Sequence, residues 1–419
     1  MNSIAQFQTI SFCMQRHVKC VAEFLRILMT WPGLVDCPNS HEFGYGKQVM
    51  QVILIFVFLP VVSCLQAESV DVYFGTGGDG AKGIYHARLD AENGQLSPAT
   101  LAAEVGAPGF LASHPDRTRI YGAAVVDGQA AVVAYGIAKD GELSLLNSEP
   151  ISAGRAAHIA VHPSGNFLLT AQYSGGSVAL FPLAKDGRVL PCGQIHTHEG
   201  ASGVDPKRQT KSHPHWVGFS PDGRFAFVPD LGLDQIVIYK IQSDMASMKK
   251  IGAAEATPGG GPRHMKFSID GKYIFLIDEL SVSLSSFTYD AETGAAELVA
   301  TTPTLSPAMK AASEVNTGSE VLVHPNGRYV YAANRGHDSV TGFQIDPGTG
   351  HLYVVDNEPI RGVWPRNINL DSGGRWLLAA GARSDSVTVF AIDPGTGALT
   401  FLEGSTIQVP NPICVLIND

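Results

Sequence analysis

One phrase recurs along this chain: an apolar stretch, a turn of the Pro-Asp-Gly type, and a second apolar stretch. The turns are His114-Pro115-Asp116-Arg117, His162-Pro163-Ser164-Gly165, Ser220-Pro221-Asp222-Gly223, Ser268-Ile269-Asp270-Gly271, His324-Pro325-Asn326-Gly327 and Leu370-Asp371-Ser372-Gly373, spaced 48, 58, 48, 56 and 46 residues apart. Pro presets φ at the first turn position, Asp or Asn bonds its own backbone at the second, and Gly supplies a positive φ. Each phrase therefore predicts a β-hairpin. A third strand follows, as in Gln235-Ile236-Val237-Ile238-Tyr239 and Ser386-Val387-Thr388-Val389-Phe390, and a fourth comes after a polar turn such as Asp346-Pro347-Gly348-Thr349-Gly350. Four strands per unit of about 50 residues is the period of a propeller blade.

Six hairpins make six blades, and strands are left over at both ends. Val70 to Phe74 with Gly83 to Ala87, and Pro412 to Ile417, complete a seventh, with the C-terminal strand innermost. The expected fold is all-β: a seven-bladed β-propeller with four antiparallel strands per blade, its ring closed by the N- and C-terminal strands, which leaves few exposed edges. A large β-sandwich gives no reason for one four-strand phrase to recur six times. The chain has no Trp-Asp dipeptide, so it is not a typical WD40 array.

The region before the repeats differs. Val52 to Val62 is an apolar run of 11 residues, preceded by Lys47 and followed by Ser63-Cys64-Leu65-Gln66-Ala67. This reads as a signal peptide over residues 47–67 cut after Ala67, and it is too short for a membrane span, which needs about 20 apolar residues. A second reading makes Cys64 the acylated first residue of a lipoprotein, and a third makes the run a buried core segment. Residues 1–46 precede the signal, the wrong order for export, and read as an over-extended or disordered N-terminus; the propeller domain is expected over 68–419. The protein is then exported, periplasmic or secreted, and cytoplasmic if the signal is not used. Of six cysteines, cleavage leaves Cys192 and Cys414. That excludes a disulfide framework and a cysteine metal cluster.

Composition agrees. The 419 residues are 45% hydrophobic, and 45 Gly with 25 Pro suit short strands and tight turns better than a helical bundle. A formal net charge of -10 argues against a general nucleic-acid binder, which needs an excess of Lys and Arg on one face.

Within a blade the hairpin joins the innermost strand to the second. Residues just before the first strand then lie beside residues just after the second, on the rim opposite the turn. Before the first strand come Arg155 and His158, His213 and His215, Arg263 and His264, Glu320, and Arg366; after the second come Gln172 and Tyr173, Asp230, Asp278 and Glu279, Asn334 and Arg335, and Arg383. Four of these arginines (Arg155, Arg263, Arg335, Arg366) gather around three carboxylates (Asp230, Glu279, Glu320), which in an acidic protein points to a pocket for a small anion. Salt bridges from blade to blade are the alternative. His213 with His215, and His196 with His198, lack companion ligands at metal-binding spacing, so no metal is expected. Gly259-Gly260-Gly261-Pro262 lacks the Lys-Ser/Thr of a phosphate loop, and no Gly-x-Ser-x-Gly elbow occurs.

The run from His198-Glu-Gly through Arg208-Gln209 to His213-Pro-His215, then Val228-Pro-Asp230, Gly261-Pro-Arg263-His264, Asp278-Glu279-Leu280, Ser319-Glu320-Val321, Asn334-Arg335-Gly336 and Pro365-Arg366-Asn367, resembles the bacterial lactonase family of seven-bladed propellers. The resemblance covers essentially everything after residue 68, although Asn367 departs from the residue often found after the arginine. It implies hydrolysis of a sugar lactone, typically 6-phosphoglucono-δ-lactone to 6-phosphogluconate, without a nucleophilic serine, cofactor or metal; the partner expected is a small anionic sugar lactone, and the protein is expected to be a monomer. For that reaction the expected roles are Glu279 or His264 as general base, Arg263 and His215 at the oxyanion, Arg335 and Arg366 on the phosphate or polyol, and Glu320 and Asp230 orienting them, with Arg155 and His158 completing the substrate-binding set. The alternatives are a lactonising cycloisomerase of the carboxymuconate type and a non-catalytic exported ligand-binding propeller.

Overall fold

Residues 69–78 and 80–419 are described by the computed structural model. The expected N-terminus, signal peptide and Cys64 acylation site fall outside them. The first blade begins with β1 (Ser69–Thr76), β2 (Gly83–Asp90) and β3 (Thr100–Glu104); the second holds β4 (Leu111–Ser113), β5 (Arg119–Val126), β6 (Gln129–Ile137) and β7 (Leu143–Pro150). The third is β8 (His158–Val161), β9 (Phe167–Gln172), β10 (Ser177–Pro182) and β11 (Gln194–Thr197), and the fourth β12 (Gly218–Phe219), β13 (Phe225–Asp230), β14 (Gln235–Gln242) and β15 (Ser247–Glu255). The fifth is β16 (Pro262–Phe267), β17 (Tyr273–Asp278), β18 (Ser283–Tyr289) and β19 (Ala296–Pro303); the sixth is β20 (Thr317–Val323), β21 (Tyr329–Arg335), β22 (Ser339–Ile345) and β23 (Leu352–Pro359). In the seventh, β24 (Pro365–Leu370), β25 (Trp376–Gly381) and β26 (Ser386–Ile392) are followed by β27 (Leu399–Phe401) and β28 (Ile407–Gln408), both paired to β26.

The last strand, β29 (Pro412–Asn418), returns to the first blade and pairs antiparallel with β1, placing Asp71 opposite Asn418 and Phe74 opposite Val415. The ring is a seven-bladed β-propeller, closed as the leftover strands predict. The innermost strands β29, β4, β8, β12, β16, β20 and β24 stand around the axis. Second strands are packed on both faces by neighbouring blades, so β9, β13, β17, β21 and β25 are buried at every residue. Outer strands such as β15 face water, and most of their residues are exposed. The core therefore lies between blades, as where Phe167 and Leu169 of the third meet Val217 and Val228 of the fourth.

Polar ties supplement that packing. Tyr73, Tyr121 and Tyr331 each donate a hydroxyl to a glycine carbonyl in the next blade, Gly141, Gly187 and Gly397, at 2.9 Å in each case. The turn imidazoles do likewise: His162 Nε2 lies 3.0 Å from the Gly223 carbonyl and His324 Nε2 2.8 Å from that of Gly374. Among the described residues no helix is long and apolar enough to cross a membrane.

Three inner strands carry a bulge where they enter the sheet. The register shifts between Pro262 and His264 in β16, between Gly318 and Val321 in β20, and between Pro365 and Asn367 in β24. A bulge opposes two residues to one and re-aims their side chains. Arg263 and Arg366 are the extra residues.

Candidate active site

At the mouth opposite the hairpin turns, a cavity of about 580 Å³ is lined by Arg155, Tyr173, Arg208, His215, Arg263 and Glu279, and on the far side by Arg335 and Arg366. Glu279 is its hub. Its Oε2 is 2.6 Å from Arg263 Nη1 and 3.0 Å from Arg335 Nη2, and its Oε1 is 2.7 Å from Arg208 Nη2. His215 Nε2 is 3.6 Å from Oε2 and also accepts from Arg263 Nη1. The arginines are fixed from behind: Arg263 Nε donates to the Ser319 carbonyl at 2.7 Å and Arg335 Nη2 to that of Gly318 at 2.6 Å. Arg208 also bonds the Tyr173 hydroxyl at 3.0 Å.

Five guanidinium groups line the cavity around this one carboxylate, which pairs with three of them. Burial alone would raise the Glu279 carboxyl, but Arg335, Arg263, His215 and Arg208 outweigh it and hold Glu279 well below the usual range, so it stays ionised. Desolvation, then repulsion from Arg263, pushes Arg335 and Arg366 down. His215 is lowered well below the ordinary imidazole value by burial and then Arg263, and is neutral near pH 7. Arg263 Nη2, Arg335 Nε, Arg366 Nε and His215 Nδ1 are buried without a hydrogen-bond partner. Guanidinium groups held at fixed positions around a cavity are what a developing oxyanion requires.

The bulges decide which expected residues reach this cavity. Arg263 is sent to the mouth and the next residue, His264, to the axis. There His264 Nδ1 is 2.9 Å from Glu320 Oε2, which also accepts from Asn367 Nδ2 at 2.6 Å, while Asn367 Oδ1 takes the Val415 N–H at 2.8 Å. His264 stands behind His215, ring centroids 5.3 Å apart, and 5.4 Å from His158. His158 and Glu320 line a separate axial cavity of about 330 Å³ with Trp216 and Lys266. The structure thus places His264, Glu320 and His158 one layer below the mouth. Arg155 stands exposed at the cavity edge, with a single 3.4 Å contact to the Ala107 carbonyl.

Asp230 does not line the cavity. It is fully buried, with Oδ2 2.7 Å from His198 Nδ1 and Oδ1 accepting the His213 N–H at 2.6 Å and the Gly232 N–H at 3.0 Å. The reason is the pleat, which turns successive side chains to opposite sides. Gln172, Asp230 and Asp278 at the ends of their second strands, and Asn334 one residue before the end of β21, turn into the blade, where Gln172 meets Ser177, Asp278 meets Ser285 and Asn334 meets Thr341. The following residue, as with Tyr173, Glu279 and Arg335, faces the funnel.

Arg208 was not among the expected site residues, because it belongs to neither rim position. It comes from the 198–213 connection between β11 and β12, pinned by Asp205 Oδ1 on the Arg208 N–H at 3.0 Å and by Gln209 Nε2 on the Leu231 carbonyl at 2.9 Å. Its signal in the sequence is the hairpin spacing of 58 residues where the neighbours are 48. The other long spacing, 56, holds a helix, α1 (Pro307–Ala311), between β19 and β20. Among the described residues no group of three or more His, Cys, Asp or Glu is arranged to hold a metal ion.

The family described as Lactonase, 7-bladed beta-propeller, matches residues 71–417. A 6-phosphogluconolactonase of Bacillus subtilis is 34% identical over 339 residues, 80% of this chain and 94% of that protein. Among solved structures, a putative 6-phosphogluconolactonase from Bacteroides fragilis is 30% identical with a TM-score of 0.77, covering 85% of this chain and 99% of its own. The periplasmic gluconolactonase of Pseudomonas aeruginosa is 28% identical with a TM-score of 0.76, covering 84% and 99%. By matched length, identity and fold, this chain belongs to the lactonase family of seven-bladed β-propellers.

Proposed function

We propose that this lactone hydrolase opens a phosphorylated sugar lactone, 6-phosphoglucono-δ-lactone, to 6-phosphogluconate. The observation that carries the reading is the charge balance of the mouth cavity, where Arg155, Arg208, Arg263, Arg335 and Arg366 face the single carboxylate of Glu279. Such a cavity favours a polyanion, and more so as charge develops on the carbonyl oxygen.

Water attacks the lactone carbonyl, the acyl–oxygen bond to the ring breaks, and the departing oxygen takes a proton. Arg263 and His215, which line the cavity, stabilise the oxyanion. Glu279 orients the water and passes its proton towards the ring oxygen; its arginine-held low basicity makes electrostatic stabilisation the larger contribution. Neither His264 nor Asp230 enters a step.

Export over residues 47–67, which we also propose, and the periplasmic gluconolactonase among the relatives make unphosphorylated glucono-δ-lactone the second substrate to assay. The test is chelator-insensitive hydrolysis of both lactones above the spontaneous rate. Arg263→Ala is expected to lower kcat by about 10² to 10³ while the circular dichroism spectrum is unchanged. Only spontaneous hydrolysis with folded protein would overturn the reading in favour of a cycloisomerase or a ligand-binding propeller.

A further inference from the structure

The mouth cavity continues past Arg366. Sharing Arg155, Arg366 and Ile413 with it, an adjoining recess of about 320 Å³ is walled by Trp364, Arg383 and Asn411. Its charge differs from that around Glu279. Arg208, Arg263 and Arg335 each meet the Glu279 carboxylate, whereas among the described residues Arg155, Arg366 and Arg383 have no carboxylate within 4.0 Å. The uncompensated positive charge of the mouth is therefore concentrated on the recess side.

Arg383 is also held in place. Its guanidinium carbon lies 3.5 Å from the centroid of the Trp364 ring, and that of Arg335 lies 5.5 Å from the same ring. Trp364 has φ +67°, a left-handed conformation that a bulky residue adopts only when its surroundings impose it. Here its N–H donates to Asp338 Oδ1 at 2.8 Å and its carbonyl accepts the Ala382 N–H at 3.1 Å. The Arg383 N–H donates in turn to the Val363 carbonyl at 3.1 Å. A left-handed aromatic residue is thus flanked by two arginines, one lining the mouth cavity and the other the recess.

We propose that this recess is the phosphate subsite, and that Arg383, positioned on Trp364, sets the preference for a phosphorylated over an unphosphorylated lactone. The inference rests on the lactone-hydrolase reading above and orients its substrate. The carbonyl lies over Glu279, Arg263 and His215, and the phosphate lies between Arg366 and Arg383 with Arg155 at the rim. A phosphate dianion accepts paired N–H bonds from two guanidinium planes, which a hydroxymethyl group does not.

The experiment measures kcat/KM on 6-phosphoglucono-δ-lactone and on glucono-δ-lactone at one fixed ionic strength, for the full chain and for Arg383→Met, Arg383→Lys and Trp364→Ala. The phosphorylated-to-unphosphorylated ratio is expected to fall tenfold or more in Arg383→Met, mainly through KM. Arg383→Lys should recover part of it, and Trp364→Ala should move the ratio in the same direction. An unchanged ratio in Arg383→Met overturns the assignment. A parallel calorimetric titration with 6-phosphogluconate and with gluconate separates this inference from the one beneath it. If neither lactone is turned over, the hydrolase reading fails by itself. The subsite still stands if the protein binds 6-phosphogluconate more tightly than gluconate and loses that preference in Arg383→Met, and falls if the two bind alike.

Discussion

Glu279 shows how one residue organises a site. Three guanidinium groups within 3.0 Å of its oxygens would repel one another without it, and its carboxylate fixes each at a defined angle to the cavity. His215 in this layer, and His158 and His264 below it, are kept neutral, chiefly by burial, then by neighbouring groups: His264 and Lys266 for His158, Arg263 for the other two. Their folded pKa values lie below the unfolded value of about 6.5, so the unfolded chain binds more protons as the pH falls. The stability they contribute is complete above about pH 6.5 and is lost on acidification, by up to about 1.4 kcal/mol per pH unit for each group that titrates. Asp278, which burial pushes up to about 7, and Glu320, also raised by burial, act in the opposite direction. The informative quantity is therefore a difference between proteins: denaturant unfolding at pH 7.5 and pH 5 should show a smaller acid loss for His264→Gln than for the parent chain. Equal losses would mean that His264 is not neutral when buried.

Among the strands, the ties between blades lend themselves to the same treatment. Tyr121→Phe removes only the hydroxyl that reaches the Gly187 carbonyl, so the ring keeps its packing while a buried acceptor loses its donor. A loss of about 1 kcal/mol in denaturant unfolding is expected, and no change would show that the carbonyl finds another partner. Elements are also where sequence reading reached furthest and then stopped. The hairpins were legible because Pro, Asp and Gly each have a local steric reason to be in a turn, and the buried second strands because both faces are covered. The bulges were not, since a bulge is a relation between two strands and leaves no mark in either alone. That is why Arg263 and His264, adjacent in the same motif, were expected at one site and occupy two layers. Asp230 was read as a rim residue for a related reason: position in the strand was legible, and the side chosen by the pleat was not. Arg208, from a connection rather than a strand end, was visible as extra length and within the family motif, with no role attached to it.

For the molecule as a whole, closure depends on β29. It supplies the innermost strand of the first blade, and Ile413 on it lines both the mouth cavity and the adjoining recess. Deleting residues 412–419 would expose the full edge of β1 and unwall the cavity at once. Such a chain is expected to lose lactone turnover and its cooperative thermal transition together; a truncated protein that melts like the parent would show that the packing of seven blades closes the ring without the clasp. The cavity draws on all seven blades, with Ile413, Phe110, Tyr173, His215, Arg263, Arg335 and Arg366 each entering from a different one.

The pairing of Asp71 with Asn418 also makes the starting point of the ring arbitrary. A short linker joining those neighbours would let the chain be reopened elsewhere, and the kind of turn chosen would matter more than the blade. An opening inside a sheet, between β14 and β15 for instance, rebuilds a blade from both ends and keeps a hydrogen-bonded fastening. An opening between sheets, such as between β7 and β8, leaves every blade covalently whole and the seam held by side chains alone. Circular permutants of the two kinds would share one fold and differ in how the circle comes apart.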